Sequence, residues 1–170
     1  MVNNVHYLNM DLERTFYGLN QTFKGIKNYL SSFVQRNITP NNNDIQPILN
    51  ELVAENPSLL ELQILGPNGM TKYWSGINFQ EDRQHTDYFS IHKSRIIPDF
   101  YVGRPVVSVA DKSTWTFAVS KGVRETDGSL SSVMVAIIDL NYIGKRYEGL
   151  PLEHGASMTI SSTDDYVYLH

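Results

Sequence analysis

Apolar residues recur every three or four positions along the first 33 residues of the chain, and polar residues fill the positions between them. This apolar series comprises Val5, Leu8, Leu12, Phe16, Leu19, Phe23, Ile26, Leu30 and Phe33. The spacing predicts one amphipathic helix of about 45 Å, for roughly 30 residues at 1.5 Å each. The helix either packs wholly on its own domain or projects at one end toward a membrane span or a partner helix. The strong periodicity favours the second alternative.

A second, shorter amphipathic helix is predicted after a break at 39–43, where a proline lies among asparagines. Asn43 is the predicted N-cap, with Gln46 at the position that completes a capping box. The apolar stripe of this helix comprises Ile45, Ile48, Leu49, Leu52 and Val53. Asn56 and Pro57 end the helix, because the residue before a proline is disfavoured in helical geometry.

From residue 59 the period of the pattern changes from helical to alternating. Leu60, Leu62 and Ile64 would face one way, and the intervening Glu61 and Gln63 would face the other. This alternation predicts a strand with one buried face. A turn of glycine, proline and asparagine follows, which predicts a hairpin with the next apolar segment.

The remaining pattern predicts four more strands, at 70–74, 101–109, 115–123 and 130–140. Short turns separate the last three, so they are expected to be antiparallel neighbours. The strand at 130–140 is the most apolar and is expected at the centre of the sheet. Short helices are predicted at 88–94 and 141–147, and a final hairpin at 156–160 and 166–169. The fold class is therefore α+β, a five-stranded antiparallel sheet with a long N-terminal helix and further helices packed on it.

Composition narrows the function classes. The 170 residues are 41% hydrophobic, enough to bury a core, and 14 basic against 18 acidic residues argue against a nucleic-acid surface. Cysteine is absent, which removes disulfides and thiolate chemistry. The longest apolar run, Val133–Ile138, is far short of the roughly 20 residues that a membrane-spanning helix needs. No catalytic motif or metal-ligand spacing is present, so we expect no enzymatic activity, cofactor or metal in this domain.

One stretch, Glu81–Phe89, is too polar for a core strand although strands flank it. Its charged and aromatic residues are typical of a loop that covers a small-molecule pocket. Arg83 could hold a ligand carboxylate through its planar fork, or form a surface bridge to Asp82 or Asp87. Tyr88 could offer its hydroxyl to the same ligand, or be a core aromatic whose hydroxyl is satisfied.

Four short motifs, in this order along the chain, resemble those of PAS-like Cache sensor domains. They are Asp82-Arg83 followed by Asp87-Tyr88-Phe89, Tyr101-Val102-Gly103-Arg104-Pro105-Val106, Trp115-Thr116-Phe117-Ala118-Val119-Ser120, and Asp127-Gly128 followed by the apolar strand that ends at Asp139-Leu140. The resemblance is closest to the double-Cache type of bacterial diguanylate cyclases, histidine kinases and chemoreceptors. It implies a membrane-connecting or dimerisation helix at 1–40, a PAS-like sensor domain at 41–148, and the start of a truncated or rudimentary membrane-proximal module at 149–170.

The resemblance also implies a ligand site between the sheet and the polar stretch. The expected ligand-binding residues are Arg83, Tyr88, Tyr101, Ser108, Trp115, Ser120 and Asp139. In the amino-acid-binding branch of the family, an aspartate at the position of Asp139 holds the ligand amine; alternatively, Asp139 caps the helix that begins near Asn141. That branch also has a Trp-Tyr pair just after its arginine, where this chain has Gln84 and His85. Carboxylates and other small polar metabolites therefore stay open as ligands.

The leading hypothesis is a periplasmic or extracellular sensing domain of a bacterial inner-membrane signal-transduction protein. It would bind a small polar metabolite, carboxylate or amino-acid-like, and relay a conformational change through the N-terminal helix. The same helix could form a homodimer. Attachment to the membrane would lie in segments outside this chain, and no nucleic-acid partner is expected. The alternative hypothesis is a ligand-free structural or dimerisation module of a membrane receptor.

Overall fold

The computed structural model of the chain describes residues 2–76, 81–94, 100–108, 111–148, 159–161 and 166–169. The helices in these ranges are α1 (Val2–Gln35), α2 (Asn42–Ala54), α3 (Asp87–Ser94) and α4 (Leu140–Tyr147). The strands are β1 (Leu59–Leu65), β2 (Thr71–Trp74), β3 (Tyr101–Val102), β4 (Val106–Val107), β5 (Trp115–Arg124), β6 (Leu130–Asp139), β7 (Ile160–Ser161) and β8 (Val167–Leu169).

Strands β1 to β6 form one antiparallel sheet in the order β2-β1-β6-β5-β3, and β4 also pairs with β5. Strand β6 lies at the centre of this order, as its apolar sequence predicts, and Val133 and Val135 are fully buried. The predicted α+β, PAS-like architecture is confirmed. The strand expected at 101–109 is instead two short strands, so that prediction is wrong in detail. Pro105 lies between them and has no N–H to donate to the sheet.

The sheet separates two apolar clusters, because successive residues of a strand point to opposite faces. On one face, Phe117 and Val119 of β5 belong to a large cluster with residues of α1, α2 and α4. On the other face, Ala118 of β5 belongs to a smaller cluster with Phe89 of α3. Helices α1 and α3 therefore lie on opposite faces of the sheet.

Helix α1 is the long helix that the apolar series predicts, and its 34 residues span about 51 Å at 1.5 Å per residue. Its middle packs on the sheet through Leu19 and Phe23, which are 2% and 1% exposed. Nearer its start, Asp11 forms an ion pair with Arg146 of α4 and accepts a hydrogen bond of 2.8 Å from the Tyr147 hydroxyl. These contacts fasten α1 to α4. Among the described residues, no helix is both long and apolar enough to cross a membrane.

Helix α2 begins earlier than predicted. Asn41 is its N-cap and accepts a hydrogen bond from the backbone N–H of Asp44, whose carboxylate accepts from the N–H of Asn41 at 2.9 Å. The predicted cap, Asn43 with Gln46, is therefore wrong, and both residues lie inside the helix. The side chain of Asp44 is a better partner than the amide of Gln46 because a helix N-terminus favours an acidic residue.

Strand β1 does not alternate as predicted at its start. Its pairing with β6 is irregular between Leu59 and Glu61, so Leu59 enters the core and Leu60 is 44% exposed. The prediction that Leu60 is buried is therefore wrong. Gln63, on the polar face of the strand, is only 4% exposed, because the Glu81–Phe89 stretch covers that face.

Strands β7 and β8 pair as a separate antiparallel hairpin near the end of the chain. Its Tyr168 packs edge-on against Phe117 of β5, with the ring centroids 5.2 Å apart. The predicted last hairpin is present at 160–161 and 167–169. Its turn and residues 149–158 lie outside the described part of the chain, so the second module at 149–170 stays a prediction.

Candidate ligand-binding site

A cavity of about 470 Å³ lies between the sheet and the segment 81–88, which we call the connector. It is lined by Glu61, Gln63, Glu81, Arg83, Thr86, Asp87, Tyr88, Gly103, Arg104, Val106, Val107, Ser108, Thr116, Ala118 and Ile137. Its size falls within the roughly 300–1,000 Å³ that small-molecule sites occupy. Charged and polar groups come mainly from the connector and β1, so the cavity is suited to a polar ligand.

A second cavity, of about 440 Å³, lies on the α1 face of the sheet. It is lined by apolar and aromatic side chains such as Phe16, Leu19 and Phe117, with a few hydroxyl groups and no charged residue among the described ones. A cavity without charged groups has little with which to orient a polar metabolite. The cavity under the connector is therefore the better candidate site.

Backbone hydrogen bonds to the β1–β2 hairpin hold the connector over the sheet. The N–H of Thr71 donates to the carbonyl of Glu81 at 2.9 Å, and the N–H of Arg83 donates to the carbonyl of Gly69 at 2.9 Å. Gly69 has a φ of +87°, and a Cβ there would lie only 2.6 Å from the Cα of Gln84. The hairpin turn and the connector therefore touch backbone to backbone, which only glycine allows.

Arg83 lies in the cavity wall with its guanidinium partly engaged. Its Nη2 forms an ion pair with Glu81, rather than with Asp82 or Asp87 as the surface alternative proposed. Its Nε is buried and has no hydrogen-bond partner among the described residues. A buried N–H without an acceptor costs about 1–3 kcal/mol, so this donor favours binding of an oxygen atom in the cavity.

Gln63 and Glu61 form the part of the wall contributed by β1. The Gln63 side-chain amide donates to the carboxylate of Glu61 at 3.0 Å. The other end of the amide, Oε1, is buried and has no hydrogen-bond partner among the described residues. This end of the cavity therefore offers oxygen acceptors, whereas Arg83 offers a donor.

Tyr88 and Asp87 complete the connector side of the site. Burial raises the pKa of the Tyr88 hydroxyl, with the nearby Arg83 charge acting in the opposite direction, so this hydroxyl stays protonated. Asp87 accepts a hydrogen bond of 3.0 Å from the Tyr101 hydroxyl. Burial, together with the Asp87 charge, raises the pKa of Tyr101 to about 12. Tyr101 does not line the cavity but fixes a carboxylate that does.

The segment between β3 and β4 forms the rim of the cavity and also contacts the C-terminal hairpin. The N–H of Gly103 donates to the carbonyl of Ala118 at 2.7 Å, and the Tyr168 hydroxyl donates to the carbonyl of Gly103 at 3.0 Å. The Arg104 guanidinium lies 4.8 Å from the centroid of the Tyr166 ring, within cation–π range. One short segment is thus shared by the cavity and the hairpin.

Of the seven predicted site residues, the structure brings Arg83, Tyr88 and Ser108 together in the cavity wall. The other four predicted residues are not in that wall: Tyr101 reaches it through Asp87, and the side chains of Trp115, Ser120 and Asp139 lie elsewhere. Trp115 is 50% exposed at the start of β5. The carboxylate of Asp139 accepts hydrogen bonds from the N–H groups of Asn141 and Tyr142 at 2.8 and 3.2 Å, which is the capping alternative.

Ser120 lies on the correct face of the sheet but under α3 rather than under the connector. Its hydroxyl is hydrogen-bonded to Nε2 of His92 at 2.9 Å, and both residues are almost completely buried. Burial lowers the pKa of His92, so the imidazole is neutral in the folded protein at pH 7. The pair is a buried polar contact between α3 and β5.

Several wall residues, chiefly Glu61, Gln63 and Arg104, are not among the residues predicted from the sequence. Glu61 and Gln63 looked like the solvent side of a half-buried strand. The apolar run of β6 indicated that both faces of the sheet are covered, because a strand that is apolar on both faces has to be buried on both. The same cover extends over the polar side of the neighbouring β1. Among the described residues, no group of three or more His, Asp or Glu side chains could hold a metal ion.

No protein-family model and no curated protein sequence matches the chain. Solved structures do match. The extracellular domain of rpHK1S-Z16, assigned as a histidine kinase, has a TM-score of 0.71 and 23% identity, and the match covers 91% of this chain and 62% of that chain. The chain therefore spans about three fifths of that domain.

Two chemoreceptor domains have the same fold. The sensory domain of Campylobacter jejuni Tlp3 with isoleucine bound has a TM-score of 0.64 and 17% identity, with 98% of this chain and 68% of that chain covered. The ligand-binding domain of Pseudomonas fluorescens CtaA in complex with L-serine has a TM-score of 0.58 and 13% identity, with 100% and 74% covered. The chain thus has the fold of extracellular sensor domains, as its motifs predicted.

Proposed function

We propose that the chain is a small-molecule-sensing domain of a membrane-bound signal-transduction protein, located in the periplasm or outside the cell of a bacterium. The ligand is a small polar metabolite, carboxylate or amino-acid-like, bound in the cavity under the connector. The fold shared with extracellular sensor domains supports this proposal. The histidine kinase, diguanylate cyclase or chemoreceptor output would lie in other parts of the protein, and the domain itself would have no catalytic activity.

The observation that carries the proposal is the pair of unsatisfied buried polar atoms in one cavity wall. Among the described residues, Arg83 Nε has no acceptor and Gln63 Oε1 has no donor. Native proteins leave few such groups, and each of them requires an explanation. A bound polar ligand would satisfy both atoms. Tyr88 and Ser108 also line the cavity, and their hydroxyl groups can add hydrogen bonds to the ligand.

Signal relay is the second part of the proposal. A ligand that binds one packing of the connector more tightly than another shifts the population toward that packing. The N-terminal helix α1 would carry this change toward the membrane, and pairing of two α1 helices would form a homodimer. Met10 and Tyr17 lie seven residues apart on α1, are 56% and 65% exposed, and support such a helix contact.

A thermal-shift screen with organic acids, amino acids and amines tests the proposal. A ligand that binds only the folded state raises its stability by RT ln(1 + [L]/Kd), about 2.7 kcal/mol at 100 times Kd. We expect at least one compound to raise the Tm at millimolar concentration. Arg83→Ala should abolish this shift, whereas Arg14→Ala, which removes an exposed arginine of α1, should keep it.

Two outcomes would count against the proposal. If no compound in a broad screen raises the Tm, the ligand-free structural or dimerisation module becomes the better explanation. If a compound raises the Tm of Arg83→Ala as much as that of the unmodified protein, its binding site is not the cavity under the connector. Circular dichroism of both variants shows whether they are folded.

A further inference from the structure

The charges around the cavity are not balanced in favour of an anionic ligand. Among the described residues that line it, three have carboxylates, Glu61, Glu81 and Asp87, and two have guanidinium groups, Arg83 and Arg104. Arg83 is already paired with Glu81. Arg104 lies at the rim, is exposed, and contacts the ring of Tyr166. The described part of the cavity interior therefore has little unopposed positive charge with which to attract a carboxylate.

The wall formed by Glu61 and Gln63 is rich in acceptors. The side-chain NH2 group of Gln63 donates a hydrogen bond to the Glu61 carboxylate, and this bond fixes the orientation of the amide. The amide oxygen, Oε1, has no hydrogen-bond partner among the described residues. Gln63 is only 4% exposed, so this oxygen is shielded from bulk solvent. An amide oxygen beside a carboxylate in a partly enclosed wall matches the chemistry of an ammonium group, which has three donors and a positive charge.

We propose that the Glu61–Gln63 wall is the subsite for a ligand ammonium group, so that the metabolite in this cavity is a small primary amine. This inference rests on the proposed function, since it names the ligand class of the same site. The ammonium donates to Gln63 Oε1 and to the Glu61 carboxylate, while Arg83 Nε donates to an oxygen atom elsewhere on the ligand. Asp139, the other candidate for this role, uses its carboxylate to cap α4.

A bare carboxylic acid fits this wall poorly. Its carboxylate would lie close to the Glu61 carboxylate, and like charges at close range disfavour each other. An amino acid or an amino alcohol satisfies both unpaired atoms, the ammonium on the β1 side and an oxygen on the Arg83 side. A dicarboxylate satisfies only Arg83.

Isothermal titration calorimetry with matched pairs of compounds tests the inference. Each pair keeps the number of carbon atoms. Alanine with lactate and serine with glycerate exchange the amine for a hydroxyl group, whereas ethanolamine with glycolate and 4-aminobutyrate with succinate exchange an aminomethyl group for a carboxyl group. We expect the amine of at least one pair to bind, and its partner to bind at least about tenfold more weakly, as the loss of a charged hydrogen bond predicts.

Variants then test the wall itself. Glu61→Gln keeps the side-chain shape and an oxygen acceptor but removes the charge, so we expect the Kd of the bound amine to rise at least about tenfold. Glu125→Gln, in the exposed turn between β5 and β6, removes one carboxylate outside the cavity and should leave the Kd unchanged. If Glu61→Gln does not fold, Gln63→Met removes the unpartnered oxygen at similar length and should also weaken amine binding at least about tenfold.

The outcomes separate this inference from the proposed function. If an acid binds and its matched amine does not, the ammonium subsite is wrong and the sensing function stands. The same holds if Glu61→Gln and Gln63→Met both bind the amine as tightly as the unmodified protein. If neither member of any pair binds, in this set or in the broad screen, both proposals fail.

Discussion

The contact between Gly69 and the connector makes the Gly69→Ala variant a direct test of how the cavity is covered. The added Cβ would lie 2.6 Å from the Cα of Gln84 and 2.8 Å from its backbone nitrogen. These are backbone atoms, so no side-chain rotation relieves the overlap, and the connector has to move. The φ of +87° at this position adds a second cost, because alanine disfavours the left-handed region.

The two contributions set the expected magnitude. The left-handed backbone costs about 1–2 kcal/mol for alanine. Displacing the connector breaks the hydrogen bond from Arg83 N–H to the Gly69 carbonyl, worth about 0.5–1.5 kcal/mol. We therefore expect a loss of about 1.5–3.5 kcal/mol in the free energy of unfolding, measured by urea denaturation. At about 2–4 °C per kcal/mol, the Tm should fall by roughly 3–14 °C.

Hydrogen–deuterium exchange should locate the change. In Gly69→Ala, the amides of the connector should exchange faster, beginning with Arg83, while the amides of β6 keep their protection at low denaturant. Gly25→Ala is the matched control. Gly25 lies inside α1, and a Cβ added there would meet no atom of the described residues within 4 Å outside the helix's own backbone, so alanine should stabilise the protein by about 0.5–1 kcal/mol.

If Gly69→Ala unfolds at the same urea concentration as the unmodified protein and its connector amides exchange at the same rate, the connector does not depend on the hairpin turn. A destabilised Gly25→Ala would instead show that the two substitutions do not differ as their surroundings indicate.

Three further predictions concern polar contacts away from the cavity. Ser120→Ala leaves the buried His92 ring without its partner and should cost about 1–3 kcal/mol in urea denaturation, without changing the Kd of a cavity ligand. Because burial lowers the pKa of His92, the unfolded chain takes up this proton first. The free energy of unfolding should therefore be highest above about pH 6.5 and should fall as the pH drops through that value. Urea denaturation of His92→Gln at a series of pH values should not show this fall. Asp139→Ala should lower the free energy of unfolding by about 0.5–2 kcal/mol, because it removes the N-cap of α4, and Asp139→Asn should lower it much less. A large rise in ligand Kd with either variant would instead show that Asp139 contacts the ligand.

Long periodic patterns made most of the fold predictable from the sequence. The series in α1 repeats over nine apolar positions, and the apolar run of β6 indicates a central strand, so local errors average out. Patterns of only a few residues did not decide the local structure. Asn41 and Asn43 are equally good N-caps by residue type, and the position of Asp44 selects Asn41. The irregular pairing near Leu60 depends on β6, which is distant in sequence.

The candidate site was predictable only in part, because its walls come from distant segments. Arg83 and Tyr88 lie in one polar stretch whose composition is unusual, so the sequence identifies them directly. Gln63 looks like a solvent-facing residue until the connector is folded over β1. Ser120 has the correct alternation, yet α3 covers that part of β5 and the connector covers the part near Ala118.

The division of the sheet into two faces has a consequence for how such a domain diversifies. Along β5, Thr116 and Ala118 belong to the cavity, while Phe117 and Val119 between them hold the helices on the far side. Substitutions at alternate positions can therefore change ligand preference without disturbing the packing of α1. Selection, or a protein engineer, could vary the cavity residues as an independent set and retain the same helical framework. The simple two-residue repeat of a strand would then allow one scaffold to acquire many specificities.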